Sequence, residues 1–486
     1  MRPAGAVEPT DVTDLDAVAA LAHMALGELS AEAYARALLE RCAQGTTLNA
    51  WITLEPERVL EAARDTDRAR HAGRRLGPLA GLPVPVKDSI NTAQYPTTGG
   101  TPALRHFRPK HDAPVVQALR QAGAIVLGKT NLHELSYGWT SNNQAYGAVR
   151  NPYDPTRIPG GSSGGTAAAV AARMAPLGVA EDTQGSIRVP AALCGLYALR
   201  PSTGRYSTAG AIPITPLFDQ VGPHARSVRD LALFDAVLTG TRHPVPARTL
   251  RGTRLAVVRD YFFTDLEPQV EQLTAQALAQ LQAAGAELIE AQLPGLGPLI
   301  EHTTDPVQNH DVRLALPAYL KTYAAPVDFE ALVAQASPDI REIFRRYVLP
   351  GGEDFVSEAA YTVARDVNLP SLRRQYRELF ARTGAEAVVF PATLVPAPAI
   401  GSEQGFSIRG HAVDFETAVA RNISPGSTAG IPGLIVPAGL TREGLPVALE
   451  LDAPAGRDRE LLALGAAVAG VLGPLPAPPR PARAAG

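Results

Sequence analysis

Short apolar runs recur along this chain, separated by longer segments whose apolar residues follow a helical period. The runs at 124–128, 176–182, 253–259, 286–293, 385–391, 433–439 and 445–451 read as strands, and a further one at 82–88 leads into a loop. Segments 113–123, 227–240, 267–284 and 457–472 read as helices, and a short helix is expected over 187–195. Strand and helix alternating over most of a chain confine it to a layered α/β architecture with a buried, mixed or largely parallel sheet. The predicted fold class is therefore α/β: one large α/β/α sandwich around a mixed, twisted sheet.

Two regions depart from the alternation. Residues 14–43 read as two short helices, the second with Ser30 as its N-cap, followed by a strand at 48–55 and a helix at 56–74. Segment 295–383 reads as mostly helical. The expected organisation is an N-terminal helical segment over 1–75 and a main domain over 76–475 with a helical insertion at 295–383. A frayed, proline-rich tail is expected at 476–486.

Composition removes several classes of function. A formal net charge of −3 supplies no basic field for nucleic acid or an anionic membrane. The first residues lack the basic head and apolar core of a signal peptide, and no run is long enough to span a bilayer. Cys42 and Cys194 are the only cysteines, too few for a disulfide scaffold or a structural zinc site. These features predict a cytoplasmic enzyme or binding protein that needs no metal.

Lysine occurs only at Lys87, Lys110, Lys129 and Lys321, whereas arginine is abundant. Arginine cannot lose its proton, so a retained lysine raises the question of a titratable amine. Lys87 ends the apolar run 82–88. It is a candidate general base, and equally a candidate for an ion pair with Asp88 or Asp182. As a base it must be neutral near pH 7, which desolvation can achieve.

The stretch "IPGGSSGGTAAAV" at 158–170 resembles a phosphate loop but lacks that loop's lysine. Its serines, Ser162 and Ser163, are framed by glycine pairs. In "VAEDTQGSIRVPAAL" at 179–193, Ser186 falls between a strand and a helix, where a helix-capping serine is also common. There the backbone N–H groups of Thr183, Gln184, Gly185 and Ser186 are candidates for an oxyanion hole. No Gly-x-Ser-x-Gly elbow surrounds Ser186, and no histidine lies near it in sequence. A serine hydroxyl set between Lys87 and Ser186 would relay a proton, because a hydroxyl both donates and accepts.

Taken in order, "PLAGLPVPVKDSIN", "GKTNLHEL", "PGGSSGGTAAAVAA", "EDTQGSIRVPAALCGLYALRPSTGRYS" and "IPGLIVPAGLTREGLPVALEL" resemble the amidase signature family. The resemblance implies a Ser-cisSer-Lys triad with Ser186 as nucleophile, Ser162 as the bridging serine after a cis peptide bond, and Lys87 as base. It also implies supporting roles for Ser163, Asp182 and Arg188. It carries no cofactor, implies a small-molecule amide as substrate, most like the aryl amides of mandelamide and indoleacetamide hydrolases, and leaves a homodimer open. One departure is Gln184, where the family usually has glycine; the expectation is a smaller or more polar acyl pocket, lined also by Tyr137 and Trp139. The competing readings are a glutamine-hydrolysing subunit of a tRNA-dependent amidotransferase and a non-catalytic binding protein on the same fold.

Overall fold

Eleven strands form one mixed sheet. In chain order they are β1 (Trp51–Leu54), β2 (Pro83–Lys87), β3 (Ile125–Thr130), β4 (Leu177–Asp182), β5 (Tyr197–Arg200), β6 (Gln220–Ala225), β7 (Arg254–Val257), β8 (Glu287–Glu290), β9 (Ala387–Pro391), β10 (Gly433–Leu440) and β11 (Pro446–Asp452). Across the sheet the order is β1-β3-β2-β4-β6-β5-β10-β11-β9-β7-β8. Strands β3, β2 and β4 are parallel neighbours, as are β9, β7 and β8, while the middle of the sheet is antiparallel. The computed structural model describes residues 11–480. The first ten residues of the expected N-terminal segment and positions 481–486 of the expected tail lie outside the described residues.

The strands form where apolar, β-branched residues cluster, and their side chains make the principal core. Val84, Val86, Val126, Leu127, Val179, Leu199, Ile435, Val436 and Leu449 are all buried in it. Burying each such side chain contributes about 1.5–3 kcal/mol. Helices Pro268–Ala283 and Asp458–Leu472 pack on β10, Val228–Thr239 packs on β5 and β6, and Gly164–Ala171 packs on β2, β4 and β6. The fold is a single α/β domain around this sheet.

Strand β6 has no counterpart among the predicted strands. Its sequence, Gln-Val-Gly-Pro-His-Ala, lacks the apolar signal, yet every residue is buried. Of its polar side chains, Gln220 donates to the Asp219 carbonyl oxygen, and His224 Nε2 lies 2.7 Å from the Ile187 carbonyl oxygen. Burial pushes the His224 pKa down to about 4, so the ring is neutral at pH 7.

Near the N-terminus, Ser30 caps helix Ala31–Gln44 by accepting from Ala33 N–H. Asp67, on helix Pro56–His71, accepts from the Ala31 and Glu32 N–H groups at 2.9 and 3.0 Å, tying the two helices together. Between β8 and β9 the chain runs through helices that include Thr304–Thr322, Phe329–Gln335, Pro338–Ile343 and Leu369–Thr383. Leu316, Tyr319 and Phe344 from this stretch pack on Leu104, Phe107, Leu135 and Tyr137 in the loops that follow β2 and β3. That second core roofs the edge of the sheet where β2 and β4 end. No described helix is long and apolar enough to cross a membrane.

Candidate active site

Because β2 and β4 are parallel neighbours, their C-terminal residues meet at one edge of the sheet. Lys87 closes β2, and Glu181 and Asp182 close β4. The chain then turns through residues 183–187 into helix Arg188–Leu193, with Gly185 at φ +128°, a conformation that L side chains rarely adopt. Ser162 and Ser163 arrive from a third direction, just before helix Gly164–Ala171. Gly165 allows that helix to seat closely: a Cβ there would lie 2.3 Å from the Asn131 carbonyl oxygen and 2.6 Å from that of Ala50. The Gly161–Ser162 peptide bond is cis.

Lys87 is completely buried. Its Nζ donates to Ser162 Oγ at 2.6 Å and to Glu181 Oε1 at 2.6 Å. Ser89 and Ser136 donate their hydroxyls to the same Glu181 oxygen. Desolvation lowers the Lys87 pKa, and the Glu181 carboxylate opposes that shift only in part. The ion-pair partner is therefore neither of the acids named from sequence. Asp88 pairs with Lys129 at 2.9 Å, and Asp182 pairs with Arg188. Successive strand residues point to opposite sides, so Glu181 and Asp182 cannot both turn to the same lysine.

Asp182 organises the turn that carries Ser186. It accepts from the N–H groups of Gly185 and Ile187 at 2.8 and 3.0 Å and from Arg188 Nε at 3.2 Å. Burial alone would raise its pKa, but Arg188 and Arg200 outweigh that and hold the carboxyl well below the usual carboxylate range. Arg188 also donates to Glu450, Ser427 and the Ile423 carbonyl oxygen. Ser163 Oγ donates to the Glu181 carbonyl oxygen at 3.1 Å, and Ser163 N–H to the Ser186 carbonyl oxygen at 3.3 Å. These bonds hold the two serine segments side by side.

The Gly185 N–H, grouped from sequence with the oxyanion donors, is thus already engaged by Asp182. Those of Thr183, Gln184 and Ser186 make no hydrogen bond to an acceptor among the described residues. The Thr183 hydroxyl donates to Asp219 Oδ1 at 2.7 Å, pinning the turn from below; burial pushes the Asp219 pKa up to about 7. The Ser162 and Ser186 hydroxyls make no direct hydrogen bond to each other in this structure. Hydrogen bonds of that kind commonly tighten only when substrate is bound.

Ser186 faces a cavity of about 180 Å³, whereas Lys87 and Ser162 lie behind it. Tyr137, Trp139 and Gln184, named from sequence, line this cavity together with Tyr347, Asp305 and Glu416. Sequence reasoning did not find Glu181, Asp219, Asp305, Tyr347 or Glu416. The last four come from segments distant in the chain, and only the fold brings them together. The arrangement can deliver a proton from a hydroxyl to a shielded amine and can offer free N–H groups to a developing oxyanion. Those are the elements of acyl transfer to serine.

Comparison with known proteins agrees with this chemistry. The family model described as Amidase matches residues 33–462. An indoleacetamide hydrolase of Rhizobium radiobacter is 36% identical over 454 residues, covering 93% of this chain and 96% of that protein. A mandelamide hydrolase of Pseudomonas putida is 36% identical over 488 residues, covering 97% and 94%. Among solved structures, one described as an amidase superposes with a TM-score of 0.84 at 31% identity, covering 94% of this chain and all of the other. The chain belongs to the amidase signature family and is an enzyme that hydrolyses amide C–N bonds.

Proposed function

We propose that the enzyme hydrolyses primary aryl or arylalkyl carboxamides to the carboxylic acid and ammonia through an acyl-Ser186 intermediate. The observation that carries this reading is the shielded Lys87–Ser162 contact at 2.6 Å behind a serine that opens onto an aromatic-lined cavity. Neutral Lys87 takes the Ser162 proton as Ser162 takes that of Ser186, and Ser186 Oγ bonds to the amide carbon. The Thr183, Gln184 and Ser186 N–H groups receive the oxyanion. Collapse of the tetrahedral intermediate breaks the C–N bond, and the proton returns through Ser162 to the departing ammonia. Water then attacks the ester by the same relay and frees the acid. The preference for aryl groups rests on Tyr137, Trp139 and Tyr347 around the cavity, and on relatives named for indoleacetamide and mandelamide.

Purified enzyme supplied with indoleacetamide, mandelamide, phenylacetamide, a short aliphatic amide and glutamine will release ammonia fastest from the aryl amides. Preferential release from glutamine would transfer the assignment to the amidotransferase type. Release from none of the five would remove the reading.

Glu181 sets the pH at which the relay operates. It faces the ammonium that Lys87 becomes when it accepts a proton, and so favours the protonated form. Activity rises with pH as Lys87 loses its proton. In Glu181→Gln the ammonium loses its anionic partner and the Lys87 pKa falls further. The acidic limb of kcat/KM will move to lower pH by about one pH unit or more, and the plateau will drop because the amine is a weaker base. A limb that stays in place or moves upward contradicts this role.

A further inference from the structure

The cavity outside Ser186 carries two acids that the relay does not use. Asp305 lies in the first turn of helix Thr304–Thr322, and Glu416 in the first turn of helix Phe415–Ala420. Glu416 is not needed as a cap, because Asp414 already accepts from Thr417 N–H at the start of that helix. Neither acid forms an ion pair among the described residues, and no lysine, arginine or histidine lines the cavity. Gln308 Nε2 donates to Asp305 Oδ1 at 3.0 Å, and Gln184, the residue that departs from the family pattern, lines the same cavity. Tyr137 lines the same space; it is nine-tenths buried, and its hydroxyl has no hydrogen-bond partner. No group of three or more acids, histidines or cysteines that would hold a metal ion exists among the described residues.

We propose that this cavity selects carboxamides that also carry a protonated amine, the amides of aromatic amino acids being the simplest class. Two carboxylates without an ion-pair partner, in a cavity also lined by Tyr137, Trp139 and Tyr347, form a site for an organic ammonium, attracted by charge and by the aromatic rings. Desolvation, then the charges of Asp305 and Asp414, push the Glu416 pKa upward. A bound cation relieves that repulsion, so the acids gain by being occupied. The selectivity rests on the hydrolytic reading above but is measured separately from it.

The test compares phenylalaninamide with 3-phenylpropanamide, which has the same skeleton without the amine, at pH 6.5. In the ratio of their kcat/KM values any change common to both substrates cancels. The parent enzyme will favour the amino amide by at least about tenfold, and Asp305→Asn and Glu416→Gln will each reduce that ratio by about tenfold, the size of one partly screened charge pair. A parent ratio near one, or a ratio unchanged in the double variant, would overturn the proposal while leaving the nucleophile in place. Calorimetry with 2-phenylethylammonium supplies a readout that needs no turnover. Its affinity must fall at least about tenfold in the double variant; equal affinity overturns the selectivity even if no amide is hydrolysed, and absence of turnover with the expected loss of affinity places the failure in the hydrolytic reading instead.

Discussion

Replacing Ser186 by alanine will lower kcat/KM for every amide that the parent enzyme hydrolyses by at least about 10⁴-fold, the scale on which loss of a covalent nucleophile is felt. The fold will survive. Ser186 is only 6% exposed, but its side-chain hydroxyl anchors no other element, and alanine leaves Asp182 its bonds to Gly185, Ile187 and Arg188. The far-ultraviolet circular dichroism spectrum and the denaturant midpoint will match those of the parent. Lys87→Ala will show a similar loss of rate, yet it also strands Glu181 without its cation, so some stability will go with it. A fluorophosphonate probe separates the roles: it will label the parent at Ser186 and leave Ser186→Ala unlabelled. Ammonia release by Ser186→Ala at the parental rate would end the assignment of the nucleophile.

The second large effect is on stability. Arg188 is completely buried and binds Asp182, Glu450, Ser427 and a main-chain carbonyl, with Asp452 close by. Truncation to alanine leaves several buried carboxylates with Arg200 as their remaining cation. Breaking a buried ion pair by removing one partner costs about 3–5 kcal/mol. The denaturant midpoint of Arg188→Ala will fall accordingly, and the Ser186 turn will lose its orientation. Adding Glu450→Gln will recover part of the loss, since it removes one of the stranded charges. A single variant as stable as the parent, or a double variant less stable than the single, contradicts this account of the network.

Much of this was legible in the chain because the signals are local. The strands β3, β4, β9, β10 and β11 are apolar runs that need no knowledge of their neighbours, and Ser30 caps the helix whose start its own side chain marks. Strand β6 was not legible, since glycine, proline and histidine carry no strand signal and their burial is imposed by β4 and β5 on either side. At the site, the glycine-framed serines and Lys87 stand out by composition and spacing. Glu181 was visible beside Asp182, but nothing local states which of the two turns toward the lysine. Only strand alternation, once the direction of Lys87 is known, assigns one to the relay and the other to Arg188. The acids of the cavity lie more than a hundred residues beyond Ser186 on unrelated helices, so no motif could contain them.

The strand order also has a consequence for how the enzyme comes into being. The ladders formed by residues 51–225 and by residues 254–391 are joined in the sheet only through β10 and β11, which follow both of them in the chain. Until residue 452 has left the ribosome, β5 and β9 are open edges, and the arginine that braces the Ser186 turn lacks Glu450. The two halves of the sheet are therefore locked together only when this hairpin inserts, and the same insertion brings Glu450 to Arg188 behind the Ser186 turn.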